Sequence, residues 1–432
     1  MDKKNRDFRK IGVGNEKPKL LYYSDCEYFA GSENMISILT SDLRINSTFE
    51  LVFAFRWNSL YEEGARIRLP KDLPRIPVRL LTTHWVFRCF KNEPSGFFRY
   101  LRSLFYIIYF PIVIFYQFFS LVITFLKEKP QILHVNNGGF PGALSCRLAV
   151  LAARTARIRK VFLTVNNKPV KYIGFYRKLD YFIDQLALKY CNTIITASTQ
   201  NLESVVSVLG VSRSKLRAIP NSVERREVIK TKSETLEGLY LQKHVQLIFG
   251  VVSEMTARKG HSFLINALRA GVDEGRWRAG EIVVLIEGDG PLRSELERLV
   301  KRYNLEDFVR FVGRFERIFE LLEVIDVLIL PSLENEDLPN IVSETMMVGK
   351  PVIASRVGGT PFQVDHGRTG FLFDPGNIEA LIEAIDFMLH NRTMVISMGK
   401  EGQLDFDLKF SKNHVIEQYL ELYATDCAVS NE

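Results

Sequence analysis

Along most of the chain, short runs of Val, Ile, Leu and Phe alternate with longer stretches whose apolar residues recur every three or four positions. The short runs, bounded by Gly, Pro and polar residues, predict buried strands of parallel sheet, and the three-to-four spacing predicts amphipathic helices. In the first half, strands are expected over 19–24, 49–56, 76–82, 131–136, 160–165, 193–197 and 216–219, with helices over 33–43, 142–156, 175–190 and 199–209. The second half repeats the style, with strands over 246–252, 281–287, 308–312, 327–331, 351–355 and 371–373. This alternation predicts an α/β fold with two doubly wound, Rossmann-like parallel-sheet domains. "SVERREVIKTKSETLEGLYLQKH" is charged and poor in apolar residues, so 223–244 is expected to link a domain at 1–222 to one at 245–405. The helical spacing of "FSKNHVIEQYLELYA" predicts a helix within 406–432 that packs back on the first domain. In open α/β sheets, ligands bind at the strand-to-helix turns on the carboxyl edge, and chemistry is expected there.

One segment departs from the pattern. "LFYIIYFPIVIFYQFFSLVITFL" (104–126), inside a helix expected at about 97–127, is apolar enough to cross a bilayer by length alone. Its less apolar residues, Tyr106, Tyr109, Gln117, Ser120 and Thr124, fall along one side of a helix. Strands of one expected sheet lie both before and after it, so a span would split that sheet across the membrane. Two readings stay open: a helix buried on the domain, or one lying in a membrane interface. Arg88, Lys91, Arg99, Arg102, Lys127 and Lys129 bracket the segment and suit contact with an anionic lipid surface.

Composition narrows the class. The chain has 432 residues, 47% hydrophobic and 25% charged, as in a folded protein too long for a single core. A net charge of +7 with no zinc-finger spacing or RNA-binding aromatic motif gives no case for nucleic acid as a partner. Cys26, Cys89, Cys146, Cys191 and Cys427 are scattered, which predicts reduced thiols and a cytoplasmic location, peripheral on the inner membrane face if the apolar helix touches lipid. The first twenty residues are polar and basic, without the apolar core of a secretory signal.

Four turns of the second half carry candidate chemistry. In "IFGVVSEMTARKGHSFLINAL", Lys259 and Gly260 open a helix, an arrangement suited to phosphate, though an exposed Lys before a helix-start Gly reads the same way. In "VVLIEGDGPLRSELERLV", Gly288 and Gly290 permit a tight turn with close backbone approach. Gly313 and the Pro331-Ser332 step close two further strands and are mainly architectural. The fourth turn, "ENEDLPNIVSETMMVGKPVIAS", sets Glu336 in a loop before a helix start and Glu344 about a turn inside it. Two acidic side chains so separated can accept hydrogen bonds from two distant hydroxyl pairs, while helix-start amides between them meet a diphosphate. Sugar hydroxyls, diphosphate and ribose hydroxyls follow in that order in a sugar nucleotide.

"PSLENEDLPNIVSETMMVGKPVIASRVGGTPFQVDHGRTGFLFDP" resembles the donor-site signature of family 4 retaining glycosyltransferases, whose fold is GT-B, two Rossmann-like domains facing across a cleft. Its E-x7-E motif matches Glu336 and Glu344; "RKGHSFLINAL", "IEGDGPLRSELE", "FVGRF" and "VIDVLILPS" match further blocks in order. The likeness covers roughly 245–405 and reaches more loosely into 130–222 through "ILHVNNGGFPGALS", "VFLTVNN" and "RAIPNSVE". The resemblance implies that Glu336 holds donor-sugar hydroxyls and Glu344 the ribose. It implies further that Lys259 meets the diphosphate and that amides at Leu338, Asn340 and Ile341 assist. Gly288 and Gly313 would line the base pocket, with Gly290 in the same turn, and Gly31 in "YFAGSENMI" would approach the phosphates.

Two positions depart from the family pattern. Glu254 stands where an Arg is usual, with Arg258 as a substitute, and Asn166-Asn167 stand where a His commonly follows the strand. Asn166, Asn137 and His134 are the acceptor-side candidates, although a His ending a buried strand is more often structural. The expected function is retaining transfer of a hexosyl group from a UDP- or GDP-sugar to a hydroxyl of a glycan or lipid-linked acceptor, in cell-surface polysaccharide or lipopolysaccharide synthesis. The nucleotide sugar would be a co-substrate, with no cofactor and no metal required. The alternatives are a catalytically degenerate sugar-nucleotide binder or membrane-complex protein, and a sugar-nucleotide epimerase of the same fold.

Overall fold

The computed structural model describes residues 17–29, 31–82, 96–239, 245–315, 317–334 and 336–425. The chain divides into two compact units. The first takes the chain up to Thr196, Leu202–Ile219 and the stretch from Ile416; the second takes Ala197–Asn201 and Pro220–Val415.

Each unit is built on a wholly parallel sheet. The first unit orders its strands β3-β2-β1-β4-β5-β6-β7. They are β1 (Lys19–Ser24), β2 (Glu50–Arg56), β3 (Arg75–Val78), β4 (Ile132–Asn137), β5 (Lys160–Val165), β6 (Thr193–Thr196) and β7 (Leu216–Ala218). The second unit orders its strands β10-β9-β8-β11-β12-β13. These are β8 (Leu247–Val252), β9 (Ile282–Glu287), β10 (Val309–Gly313), β11 (Val327–Leu330), β12 (Val352–Ser355) and β13 (Gly370–Phe373). Both chains of strands start in mid-sheet, step outward one way, then cross back to continue the other way. The reversal falls between β1 and β4 in one unit and between β8 and β11 in the other, where a crevice opens at the carboxyl edge.

The central strands are largely apolar because helices cover both faces: β9 and β5 are buried at every position. Each expected strand has its counterpart, with one shortened. The strand expected over 76–82 stops at Val78, at the sheet's edge and opposite the last residue of β2. The helix expected over 175–190 is two segments, Phe175–Leu179 and Tyr181–Tyr190, meeting at Asp180. The helix expected within 406–432 runs over Lys412–Thr425, after a separate helix Arg392–Lys409.

The last helix brings Tyr419 and Tyr423 into the first unit's core. The Tyr423 hydroxyl lies 2.6 Å from His134 Nδ1, and His134 Nε2 lies 2.7 Å from Thr164 Oγ1. Helix Lys412–Thr425 is thereby fastened to β4, and through His134 to β5.

Helix Gly96–Glu128 connects β3 to β4. Its buried side carries Phe110, Val113, Gln117, Leu121, Val122 and Phe125, and Gln117 Nε2 donates to Leu81 O at 2.6 Å. It packs on helix Leu144–Thr155. The flanking strands β3 and β4 lie in one sheet, so the helix is a crossover within the unit. Even so, only 28% of its most apolar stretch is buried. Arg88 and Lys91, from the expected basic flank, lie outside the described residues.

Candidate functional site

The second unit's strand reversal sets the loop after β8 beside the loop after β11. The first carries Arg258 and Lys259 in a short 3-10 turn; the second carries Ser332 and Glu336. A backbone bond from Leu333 N to Arg258 O, 2.8 Å, ties the two loops. Across this junction Lys259 Nζ donates to Glu336 Oε1 at 2.5 Å. Ser332 Oγ donates to the same oxygen at 2.7 Å, and Arg258 NH1 lies 3.5 Å away. Glu336 is 6% exposed, so its charge is neutralised locally instead of by water.

The floor below Glu336 is a relay of short contacts. Ser355 Oγ, at the end of β12, donates to Ser332 O, and Thr360 Oγ1 donates to Ser355 O, each at 2.5 Å. Asp337 turns the other way. Its carboxylate accepts from Ser198 Oγ at 2.6 Å and Asn201 Nδ2 at 3.0 Å, and its carbonyl from Gly359 N at 2.6 Å. Gly358, at φ +57°, lets the chain pass directly against the Glu336 carbonyl.

Helix Asn340–Met347 starts at Pro339, whose ring suits a helix start. Among the described residues, no acceptor meets the backbone N–H of Asn340 or Ile341. Leu338, just before, is buried in the core. Glu344, on this helix, is 8% exposed, and none of the described residues gives it a hydrogen bond or ion pair. Burial pushes its carboxyl above the ordinary value; Arg226 opposes the shift and nearby Glu287 adds to it. Glu287, the last residue of β9, is also raised by burial, although Phe315 N donates to it at 3.0 Å.

The glycines divide by role. Gly288, at φ +120°, presses on the backbone of the β8 loop: a Cβ there would stand 2.2 Å from Ser253 O. Gly290 abuts Met255 in the same way, so both position the loop that carries Lys259. Gly313 has open space around it and lies next to Gly288, whose N–H donates to its carbonyl at 2.9 Å. Glu254 is exposed, and its side chain engages none of the described residues. His261, one residue past the Lys259-Gly260 step, is held neutral to about pH 4 by burial and by Lys259, with Ser253 Oγ 3.2 Å from its Nε2.

In the first unit, Ser24, Glu33, Asn136 and Asn166 form a polar chain at the carboxyl ends of β1, β4 and β5. Ser24 Oγ donates to buried Glu33 at 3.0 Å, and Asn166 Nδ2 donates to Asn136 Oδ1 at 3.0 Å. Gly31 is exposed and opens the 3-10 turn leading to Glu33. Two acceptor-side expectations are corrected here. His134 is 3% exposed with both ring nitrogens engaged, its pKa lowered to about 3 by burial, so it is a core residue. The Asn137 side chain is spent on its own loop, donating to Pro141 O at 3.3 Å and accepting from Ala143 N at 3.1 Å.

Four contributors carry little mark of their own in the sequence. Ser332 and Asp337 sit inside the recognised signature as ordinary polar residues, and Asp337's partners are 136 and 139 positions distant. Gly358 and Gly359 stand in "VGGTP", where paired glycines are the one available signal. Among the described residues, no group of three or more His, Cys, Asp or Glu could hold a metal ion.

Known proteins share both sequence and architecture with this chain. Residues 246–391 match the family described as Glycosyl transferases group 1. The N-acetyl-alpha-D-glucosaminyl L-malate synthase of Bacillus anthracis is 25% identical over 299 residues, covering 69% of this chain and 75% of that one. The UDP-Gal:alpha-D-GlcNAc-diphosphoundecaprenol alpha-1,3-galactosyltransferase of Escherichia coli is 26% identical over 265 residues, 60% of this chain and 66% of the other. HepE of Anabaena, solved in complex with UDP, superposes with a TM-score of 0.74 at 18% identity, over 94% of this chain and 100% of that one. With two Rossmann-type units, the chain has the GT-B fold, and the matched segment identifies a Glycosyl transferases group 1 domain in the second unit.

Proposed function

We propose that the second unit binds a nucleoside-diphosphate sugar along the mouth of helix Asn340–Met347, and that the chain transfers the sugar, with retention, to a hydroxyl of a glycan or lipid-linked acceptor. The observation that carries this reading is the Lys259–Glu336 pair at the strand reversal, with Ser332 and Arg258 on the same carboxylate. A diphosphate competes for Lys259 and Arg258. As they turn to it, Glu336 is released to accept from the sugar hydroxyls. The amides of Asn340 and Ile341 supply two more donors for the phosphates. Glu344, buried with no hydrogen-bond partner among the described residues, suits a pair of ribose hydroxyls.

Bond cleavage puts negative charge on the departing diphosphate, and these cations and amides hold it more strongly than the ground state. In a front-face route, the bond from the anomeric carbon to the phosphate oxygen breaks, the acceptor oxygen bonds that carbon from the same side, and the departing phosphate oxygen takes the acceptor's proton, so no enzymic nucleophile enters. UDP is supported as the donor's nucleotide because similar folds have been solved with UDP and with UDP-glucose. Relatives acting on a diphosphoundecaprenol-linked sugar and in lipopolysaccharide core synthesis support a lipid-linked or envelope glycan acceptor.

Glu254 motivates a second reading, a binder without catalysis, because an acid stands where a phosphate-binding Arg is usual. Arg258 answers part of that objection by lying at the site. The test is a thermal-shift screen of nucleotide sugars followed by donor hydrolysis and transfer assays. A donor that raises the melting temperature, with turnover abolished in Glu336→Ala, supports transfer. Stabilisation without turnover favours the binder, and no stabilisation by any nucleotide sugar sinks both readings.

A further inference from the structure

Helix Gly96–Glu128 is longer than the sheet it crosses. Its 33 residues span about 50 Å, against about 20 Å for the six residues of β4. Among its described side chains, the buried positions run from Phe110 to Phe125, about the length of the strands beneath. Because Glu128 leads directly into β4, the excess projects past the carboxyl edge of the first unit's sheet.

The outward side is apolar along its whole described length. Phe105, Ile108, Ile112, Phe115, Phe119, Ile123 and Leu126 recur every three or four residues and are all exposed, with Ile108 and Phe115 at 63% and Ile123 at 66%. Such a stripe on a soluble face is far larger than scattered surface leucines explain.

A second apolar element lies on the other side of helix Leu144–Thr155, against which both helix Gly96–Glu128 and helix Tyr181–Tyr190 pack. It is the segment from Val170 to Phe182, where Val170, Ile173, Tyr181 and Phe182 are exposed, Ile173 at 76%. A buried cluster holds this segment in place: Asp184 accepts from Arg147 at 2.6 Å, from Arg177, and from the Tyr172 hydroxyl at 3.0 Å.

The charges around both elements are one-sided. Lys127, Lys129, Lys168, Lys171 and Lys178 are exposed, and none of the described carboxylates pairs with them. The acids nearby are already engaged, Glu128 with Lys19 at 3.8 Å and Asp180 with Arg147 at 3.2 Å. Two copies meeting through this face would bring their lysines together, whereas anionic headgroups neutralise them.

We infer that the outward stripe of helix Gly96–Glu128 and the Val170–Phe182 segment form one surface that lies in the plane of an anionic membrane. The apolar side chains enter the headgroup boundary and the lysines engage lipid phosphates. The helix lies on the bilayer and does not cross it, since its opposite side is committed to the protein core. The inference does not depend on the donor-site reading, and Glu336→Ala protein is expected to bind vesicles unchanged.

Flotation of the full chain with phosphatidylcholine vesicles, with and without phosphatidylglycerol, tests it. Binding to the anionic vesicles alone is expected, with a loss of about tenfold or more in Phe115→Glu/Phe119→Glu and in Ile173→Glu/Phe182→Glu. These side chains are exposed, so unchanged melting of each variant verifies its fold. Phe119→Trp supplies a readout without loss of function, its emission shifting to the blue on adding anionic vesicles. Absence of flotation, or flotation indifferent to the helix pair, overturns the inference, and indifference to the Ile173/Phe182 pair removes that segment from the surface. A dimer that dissociates in Phe115→Glu/Phe119→Glu without vesicle binding overturns it in favour of self-association.

Discussion

A Cβ on Gly358 would stand 1.5 Å from the backbone carbonyl oxygen of Glu336. Gly358 adopts φ +57°, a conformation that disfavours any other residue even before the collision is counted. Gly358→Ala is therefore expected to displace the Glu336 loop at a cost of about 1–3 kcal/mol. A lower melting temperature together with near-complete loss of transfer checks this; a variant with wild-type kinetics contradicts it.

Lys259 and Glu336 act as one unit, and their removal should not be additive. Lys259→Ala alone should lower kcat/KM by about 100- to 1,000-fold, as for loss of a donor to developing charge. Among the described residues, it also leaves Glu336 buried with Arg258 and Ser332 as its remaining partners. The double variant Lys259→Ala/Glu336→Ala should then melt higher than Lys259→Ala, although it is no more active. A double-mutant cycle in melting temperature measures the coupling.

Glu344 should trade stability for ligand affinity. Burial raises its carboxyl pKa from the ordinary 4.5, so the folded state binds this proton more tightly than the unfolded one. Its contribution to stability is then greatest below that ordinary value and is lost as pH rises through the folded value. Glu344→Gln should melt higher than wild type, by a margin that grows from pH 4.5 upward. It should bind donor about 10- to 100-fold more weakly, having lost a charged acceptor for hydroxyl groups. Parallel melts across pH and a donor titration give both numbers.

His134 carries the opposite sign. Its folded pKa of about 3 lies below the ordinary 6.5, so the neutral ring stabilises the first unit above pH 6.5. That stability is lost as pH falls from there toward 3. Tyr423→Phe, which removes the 2.6 Å contact to Nδ1, should cost about 1–3 kcal/mol and leave donor affinity unchanged. A loss of donor binding in this variant would show that the terminal helix does more than close the core.

The sheets were legible because the central strands are mostly apolar runs of the kind a doubly covered parallel sheet requires. The edge strand was overestimated because its pairing stops at Val78, opposite the last residue of β2, without an end to the run of suitable residues. Glu336, Glu344 and Lys259 were found through a motif, since eight-residue spacing of two acids carries little by itself. Arg258's approach to Glu336 needed coordinates, for the direction of a side chain in a 3-10 turn is not written in its neighbours. Asp337 reads as one more acid in "LENEDLP"; its partners become visible only when the chain has folded Ser198 and Asn201 against it. His134 marked the end of an apolar run, which suits a ligand contact and a core contact equally until the terminal helix is in view.

Ala197–Asn201 travels with the second unit although it lies before the first unit's last strand. A gene split in the charged linker to express the carboxyl half alone would therefore part Asp337 from Ser198 and Asn201, taking two donors from its carboxylate in the donor loop. Supplying those five residues in trans, or grafting them through a short tether, is the minimal repair that such a dissection requires.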